Sequence, residues 1–381
     1  MPKILISAGE PSGDIYAAAL VEALRRRHPD LDFFGCAQPK MLAAGVRPAI
    51  DAAKLHVVGV FEVITHIPGI WREYRKLLRA ADEERPVLAI LTDSPDFHLR
   101  VAHQLARRKI PVVYLVAPQA WAWRSGRTRQ MARDLRRLLC IFPFEEAWFR
   151  GRGVPADYIG HPLARQVRPT VGRAEFRREM GIPDGHALVA LLPGSRPGEV
   201  RRHWPLLLAA VEKLQNRPIS FVLGAVPSLG KQFFVNQMGS ASIQSSVKVI
   251  EGRTWDLLAA ADLALAASGT VTVEAALLGT PMVTFYRVTG ASWALGKLLV
   301  RTPFFTMANL IAGQKLVPEL MQNEATGERL AAEAARLLDS PSALAEMRAG
   351  LGRVATLLDT GHDPIERAAD IVSGMLTEEH V

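Results

Sequence analysis

The chain is 381 residues long, roughly two to three times the usual length of one domain, which makes two domains the expected count and excludes a single small module. Hydrophobic residues make up 49% of it and charged residues 22%, a globular balance that excludes disordered, collagen-like and disulfide-scaffold proteins. The formal net charge of +8 points to an acidic partner, whether nucleic acid, an anionic membrane or a phosphorylated small molecule, without choosing among them.

Met1-Pro2-Lys3 runs straight into Ile4-Leu5-Ile6 and a turn, without the basic region, apolar stretch and cleavage site of a signal peptide, so a first strand and a cytoplasmic protein are expected. Apolar runs at 3–7, 31–35, 87–91, 112–115 and 138–142 then alternate with helical patterns. That alternation predicts a parallel sheet with helices on both faces. It begins again after 165–179 with runs at 187–192, 219–223, 247–250, 263–266 and 282–285. The economical reading is α/β: two Rossmann-like halves, 1–165 and 166–350, followed by terminal helices over 351–381 that pack back on the first half. The longest apolar runs are strand-length, far short of the ~20 residues a membrane span requires. Cys36 and Cys140 read as reduced core thiols.

Ligands of open parallel sheets bind at the carboxyl ends of strands, so the strand-end loops carry the candidates. Gly9-Glu10-Pro11-Ser12-Gly13-Asp14 follows the first strand. It is read either as a turn with Ser12 as N-cap and Asp14 near the helix dipole, or as a loop whose glycines admit a ligand while Glu10 or Asp14 faces it. Asp93-Ser94-Pro95-Asp96-Phe97 ends the strand at 87–91. One carboxylate there can serve as a general base on a hydroxyl and the other can cap the next helix. Trp121-Ala122-Trp123-Arg124 cannot place both indoles on one helical face, so at least one lies in a loop, either as a plug or as a stacking platform. Ile159-Gly160-His161 closes the first half, with His161 read as structural.

In the second half, Pro193-Gly194-Ser195-Arg196-Pro197 combines exposed amides, a guanidinium and a helix start, which suits a pyrophosphate. Ser268-Gly269-Thr270 repeats that logic, and Glu274 one turn later can accept from ribose hydroxyls. Asn309, Glu319 and Gln322, the latter two read at i, i+3 on a helix after Leu316, can bind donor phosphate or sugar hydroxyls or satisfy a helix end. Between 57 and 79, Val57, Val60, Phe61, Ile64, Ile67, Ile70 and Trp71 are interleaved with Arg72, Arg75, Lys76 and Arg79. That pattern fits an interfacial segment on an anionic bilayer or a core helix with a basic outer face. No dinucleotide fingerprint, Walker loop, zincin motif or nucleophile elbow occurs, which weighs against dehydrogenases, ATPases, zinc hydrolases and α/β-hydrolases.

Taken in order, the motifs at 9–14, 93–97, 121–124, 142–145, 159–161, 192–196, 268–270 and 309–322 resemble the lipid-A-disaccharide synthases, and the resemblance spans nearly the whole chain. It implies two facing Rossmann-like domains, the GT-B architecture, and an inverting glycosyltransferase. The implied reaction moves 2,3-diacylglucosamine from UDP-2,3-diacylglucosamine to the 6-hydroxyl of 2,3-diacylglucosamine 1-phosphate. It assigns the base to Asp93, with Asp96 and Glu10 as alternatives, and charge stabilisation on the leaving UDP to Arg196. Gly194, Ser195, Ser268, Gly269, Thr270, Glu274, Asn309, Glu319 and Gln322 would hold the donor. Glu10, Ser12, Asp14, Asp96 and Trp123 would line the acceptor side. Peripheral association with the inner leaflet, a homodimer, and no cofactor, metal or nucleic acid are further implications. Two departures stand out: Ser94 replaces a small apolar residue, and Pro197 removes one amide beside Arg196. The competing reading is another UDP-sugar enzyme of the same architecture, a peptidoglycan glycosyltransferase or a UDP-N-acetylglucosamine epimerase.

Overall fold

The structure is a computed structural model that describes residues 1–51, 60–225, 229–238, 241–300 and 302–378. The chain separates into two compact units, Met1–Pro162 with Leu358–Val381, and Leu163–Leu357.

The first unit runs β1 (Lys3–Ala8), α1 (Pro11–Arg27), β2 (Asp32–Ala37), α2 (Pro39–Ala43), β3 (Arg47–Asp51), α3 (Val60–Glu84) and β4 (Leu88–Thr92). It continues with α4 (Pro95–Arg107), β5 (Val112–Leu115), α5 (Thr128–Asp134), β6 (Arg137–Cys140), α6 (Pro143–Arg150) and β7 (Ala156–Tyr158). The second unit begins with α7 (Leu163–Gln166), α8 (Arg173–Glu179), β8 (Ala187–Leu192), α9 (Pro197–Leu214), β9 (Ile219–Ala225), α10 (Gly230–Val235) and α11 (Ala241–Ser246). Then come β10 (Val247–Glu251), α12 (Thr254–Ala260), β11 (Leu263–Ala267), α13 (Thr270–Leu277), β12 (Met282–Tyr286) and α14 (Gly290–Leu299). The remaining elements are α15 (Met307–Ala312), β13 (Glu319–Met321), α16 (Gly327–Leu338), α17 (Pro341–Leu358) and α18 (Pro364–Glu378), the last of which returns to the first unit.

Both sheets are parallel, ordered β3-β2-β1-β4-β5-β6-β7 and β10-β9-β8-β11-β12-β13. Within each, the strand order reverses between the first and fourth strands of that unit, β1 beside β4 and β8 beside β11. Helices cover both faces, so central strands such as β4 and β11 are buried at every position. Among the described residues seven helices, α1, α2, α4, α6, α9, α17 and α18, open on a proline, which sets φ for the first turn and lacks only an amide that has no partner there.

The ten strands expected from apolar runs are all present. Three further strands, β3, β7 and β13, were not legible, and all three lie at sheet edges. An edge strand pairs on one side only, so Arg47–Asp51, Ala156–Tyr158 and Glu319–Met321 can be short and polar. Glu319 is therefore in a strand, paired with Thr284, and not on a helix after Leu316 as the sequence suggested. Helices α16, α17 and α18 are separated at 339–340 and 359–363, so the boundary expected between 350 and 351 falls inside α17. On α18, Arg27 of α1 pairs with Glu366 and Asp370, both at 2.8 Å, while Ala368, Ala369 and Val372 are fully buried.

Candidate active site

Strand adjacency brings the loop after β1 to the loop after β4. The Asp93 carboxylate accepts from the backbone amides of Gly9 at 2.8 Å and Glu10 at 3.0 Å, so a residue of one loop caps the helix entry of the other. Gly9 and Gly13 clear the space it needs. A Cβ on Gly9 would meet Ser94 Oγ at 2.3 Å, and one on Gly13 would meet Asp93 Oδ2 at 1.8 Å. These glycines thus admit Asp93 and Ser94, a correction to the reading that they admit a ligand.

Asp93 and Ser94 both hold left-handed backbone, φ 53° and 36°, an unusual pair outside glycine. Two buried side chains fix it from below: Tyr114 donates its hydroxyl to the Asp93 carbonyl at 2.5 Å, and His98 Nδ1 donates to the same oxygen at 3.0 Å. Burial pushes His98 down to about 4, so it is neutral with its proton on Nδ1, and Nε2 accepts from Ser7 Oγ at 2.7 Å. Burial pushes the Asp93 carboxyl up to about 7, with the amides of Glu10 and Gly9 acting against it. A carboxylate poised near neutrality at a strand end is suited to accept a proton from a hydroxyl.

The neighbouring candidates divide by what they touch. Asp14 is buried, and its carboxylate accepts from the amides of Gln38, Lys40 and Met41 at 3.1, 2.9 and 3.1 Å, which caps α2. Glu10, not Ser12, is the N-cap of α1; Ser12 is exposed in the first turn. Neither carboxylate of the 93–97 stretch caps α4, whose N-cap is Ser94. Asp96 instead accepts from Arg124 Nη1 at 2.7 Å and from Arg127 Nη2. Trp121 and Trp123 both lie in the loop after β5. Trp121 Nε1 donates to the buried Glu145 at 2.9 Å, and the Trp123 ring carries the Arg124 guanidinium at 4.4 Å. His161 is buried against the Phe142 ring at 5.1 Å, and burial holds it neutral, near 4.

In the second unit the loops after β8, β11, β12 and β13 are tied together by side chains. Gly194 takes φ 115° and turns the chain so that Ser195 and Arg196 stand exposed at the start of α9. The Arg196 guanidinium, 75% exposed, pairs with Glu199 at 3.2 Å. Burial pushes Glu199 up, but the Tyr286 hydroxyl at 2.9 Å and the Arg196 charge outweigh it and hold the carboxylate ionised. Buried His203 links Pro193 and Arg287: Nδ1 donates to the Pro193 carbonyl at 2.8 Å and Nε2 accepts from the Arg287 amide at 3.0 Å.

Gly269 and Thr270 are exposed at the N-terminus of α13. Ser268 Oγ donates to the Phe305 carbonyl at 3.1 Å. Burial pushes the Glu274 carboxyl up, against a hydrogen bond from Trp255. Asn309 is fully buried and spends both ends of its amide on Val317, Leu316 and Glu319. Glu319 Oε1 accepts from the Thr306 amide at 2.8 Å and its hydroxyl at 2.7 Å, which fixes the N-cap residue of α15. Gln322 pairs with both backbone groups of Val288 at 3.0 Å. These three therefore shape the loops, leaving Arg196, Ser195, Gly269 and Thr270 outermost.

Sequence reasoning missed His98, Tyr114, Arg127, His203 and Tyr286. Only Glu199 left a local signal, an acidic residue three positions after the N-cap Arg196, whose amide it accepts at 3.4 Å. Val57 lies outside the described residues, as do the side chains of Val60, Phe61, Ile64 and Ile67. On α3, Ile70 is half-buried and Trp71 is 46% exposed. Among the described residues no group of three or more His, Cys, Asp or Glu is arranged to hold a metal ion, and no helix is long and apolar enough to cross a membrane.

Two parallel Rossmann-type sheets, each with its candidate loops at the point where strand order reverses, define the GT-B glycosyltransferase fold. Solved structures share it. The calicheamicin glycosyltransferase CalG4 has a TM-score of 0.60 at 18% identity, covering 99% of each chain. The UDP-GlcNAc 2-epimerase from Neisseria meningitidis bound to UDP-GlcNAc has 0.61 at 14% identity, covering 99% of this chain and 100% of its own. The family pattern described as lipid-A-disaccharide synthetase matches residues 4–355. A lipid-A-disaccharide synthase from Solibacter usitatus is 58% identical over 382 aligned positions, covering 99% of each chain. The chain belongs to the lipid-A-disaccharide synthase family and is a glycosyltransferase of lipid A biosynthesis.

Proposed function

We propose that this enzyme transfers 2,3-diacylglucosamine from UDP-2,3-diacylglucosamine to the 6-hydroxyl of 2,3-diacylglucosamine 1-phosphate, giving a β(1→6) disaccharide 1-phosphate and UDP with inversion. The observation that carries the reading is Asp93, a mostly buried carboxylate with a pKa near 7, placed where strand order reverses. The acceptor hydroxyl gives its proton to Asp93 as O6 forms its bond to the anomeric carbon. The bond from that carbon to the UDP oxygen breaks on the opposite face, and its electron pair leaves with UDP. One displacement turns an α-linked donor into a β product.

The second unit holds the nucleotide. Backbone amides at Gly194, Ser195, Gly269 and Thr270 suit phosphate oxygens, and Arg196 exchanges its weak exposed pair with Glu199 for the growing charge on the leaving diphosphate. Ser268 and Glu274 complete the nucleotide site, while Asn309, Glu319 and Gln322 fix its loops. The basic outer face of α3 rests on the inner leaflet, where both lipid substrates reside.

The test is UDP release from UDP-2,3-diacylglucosamine in detergent, with and without 2,3-diacylglucosamine 1-phosphate, followed by proton NMR of the product. Acceptor-dependent release and the large anomeric coupling of a β linkage are expected. Acceptor-independent release, an α product or epimerised sugar would overturn the reading.

A further inference from the structure

Two guanidiniums of the first unit converge on one oxygen. Arg124 Nη1 reaches Asp96 Oδ1 at 2.7 Å and Arg127 Nη2 donates to the same atom. Both also lie over the Trp123 ring, 4.4 and 5.7 Å from its centroid. The left-handed backbone of Arg124, φ 58°, turns the chain into the short 3-10 segment Ser125–Arg127, which brings the two side chains to one point. Two positive charges against one carboxylate leave a surplus of one. The Asp96 side chain is 66% exposed, so the pairing is wet and readily exchanged. Arg127, at 17%, has lost most of its water and keeps a planar fork that matches phosphate oxygens.

The cluster also lies beside the proposed base. Asp96, in the first turn of α4, follows the proposed base Asp93 by three residues.

We propose that Arg124 and Arg127, backed by Trp123, bind the 1-phosphate of the acceptor glycolipid, with Asp96 as the internal anion that the phosphate displaces. The inference rests on the transferase reading above. A phosphate monoester offers three oxygens and more negative charge than one carboxylate, and so occupies both forks at once. Anchoring the sugar at C1 leaves the 6-hydroxyl, carried on C5 across the ring oxygen from C1, to meet Asp93. Phosphate recognition then determines which hydroxyl reacts, and a neutral diacylglucosamine is a poor acceptor.

The test is isothermal titration of the full chain in detergent with 2,3-diacylglucosamine 1-phosphate and with 2,3-diacylglucosamine, for the wild type, Arg124→Ala/Arg127→Ala and Asp96→Asn. The wild type should favour the phosphorylated lipid at least about tenfold, and the double variant should bind both lipids alike with UDP affinity unchanged. Asp96→Asn, which removes the competing charge, should tighten the phosphorylated lipid severalfold. Should the double variant fold poorly, Arg124→Gln alone, on an exposed side chain, should still lose much of the preference. A wild type without phosphate preference, or variants that keep it, overturns the site. Turnover followed in parallel separates the two readings. A wild type that turns over while the variants keep the phosphate preference sinks the phosphate site alone. A wild type that binds the phosphorylated lipid through this pair without turnover sinks the transferase reading and upholds the site.

Discussion

Gly13 and Asp93 are complementary in shape: a Cβ on Gly13 would fall 1.8 Å from Asp93 Oδ2, so the carboxylate occupies the space a side chain would take. Gly13 is inside α1, where alanine would favour the helix by about 1 kcal/mol. Gly13→Ala should therefore leave the fold intact while pushing the carboxylate out of place. A displacement of this size costs on the order of 100-fold in turnover. Steady-state kinetics beside UDP titration should show kcat falling with donor affinity unchanged; normal kcat would separate the carboxylate position from catalysis.

Asp93 also predicts a pH dependence with a definite sign. The base must be ionised, so kcat/KM should fall about tenfold per pH unit below about 7 and level off above it. Asp93→Asn should abolish turnover and retain UDP binding. The linkage to stability runs the other way. Burial raises the folded pKa from 3.8 to about 7, so the contribution of this group is complete below pH 4 and lost as pH rises through 7. Melting temperatures of the wild type should accordingly decline relative to Asp93→Asn between those limits, and a constant difference would contradict the buried-carboxylate assignment.

Tyr114 is the residue whose removal best tests how the Asp93 backbone is held. Two successive left-handed residues cost roughly 1–2 kcal/mol each, and the Tyr114 hydroxyl and His98 Nδ1 offset that cost at one carbonyl. Tyr114→Phe keeps the buried ring and removes one bond, which should lower stability by about 1 kcal/mol. Loosening the base should reduce kcat about tenfold at unchanged donor KM. A stability loss without any change in kcat would make Tyr114 a packing residue only.

Much of this arrangement was legible in the sequence, and the remainder has a common cause. Apolar runs marked nine largely buried strands and the edge strand β10, and small or charged residues marked the loops at their ends. Which loop meets which was not legible, because the partners are distant in the chain: Gly9 with Asp93, His203 with Arg287, Glu319 with Phe305. Adjacency in a parallel sheet is a property of strand order, and a local motif does not carry it. Asp14 and Gln322 show the consequence. Both have the chemistry of a binding residue, yet their hydrogen bonds go to the backbones of Gln38 and Val288.

Arg196 should behave oppositely to Tyr114. Its side chain is 75% exposed and its pair with Glu199 is local, three residues apart at the start of α9, so Arg196→Ala should shift stability by less than about 1 kcal/mol. If the guanidinium meets the leaving diphosphate, turnover should fall by about 100- to 1,000-fold. Arg196→Lys should recover part of it, since the charge remains and the fork is lost. Thermal melts and single-turnover rates together decide the case: a destabilised protein, or a stable one with normal rates, would remove Arg196 from the chemistry.

The outer face of α3 supplies the last test. Trp71 is 46% exposed and stacks on the buried Tyr74 at 4.9 Å, with the Arg75 guanidinium 5.6 Å from its own centroid. Arg72, Arg75, Lys76 and Arg79 are exposed beside it, while Lys76 also pairs with the buried Glu73 at 3.1 Å and so has less charge to offer a membrane. An exposed indole with Arg75 over its ring and further basic residues on the same helix fits the headgroup layer of an anionic leaflet, where each basic residue contributes about 1 kcal/mol. The protein should bind vesicles containing phosphatidylglycerol, release with rising salt, and ignore pure phosphatidylcholine. Arg72→Ala/Arg75→Ala should weaken that binding by about 30-fold, the equivalent of about 2 kcal/mol. The double variant should still use detergent-dispersed substrates at the wild-type rate, because the site residues are untouched. Equal binding to neutral vesicles, or no loss in the double variant, would detach this face from the membrane.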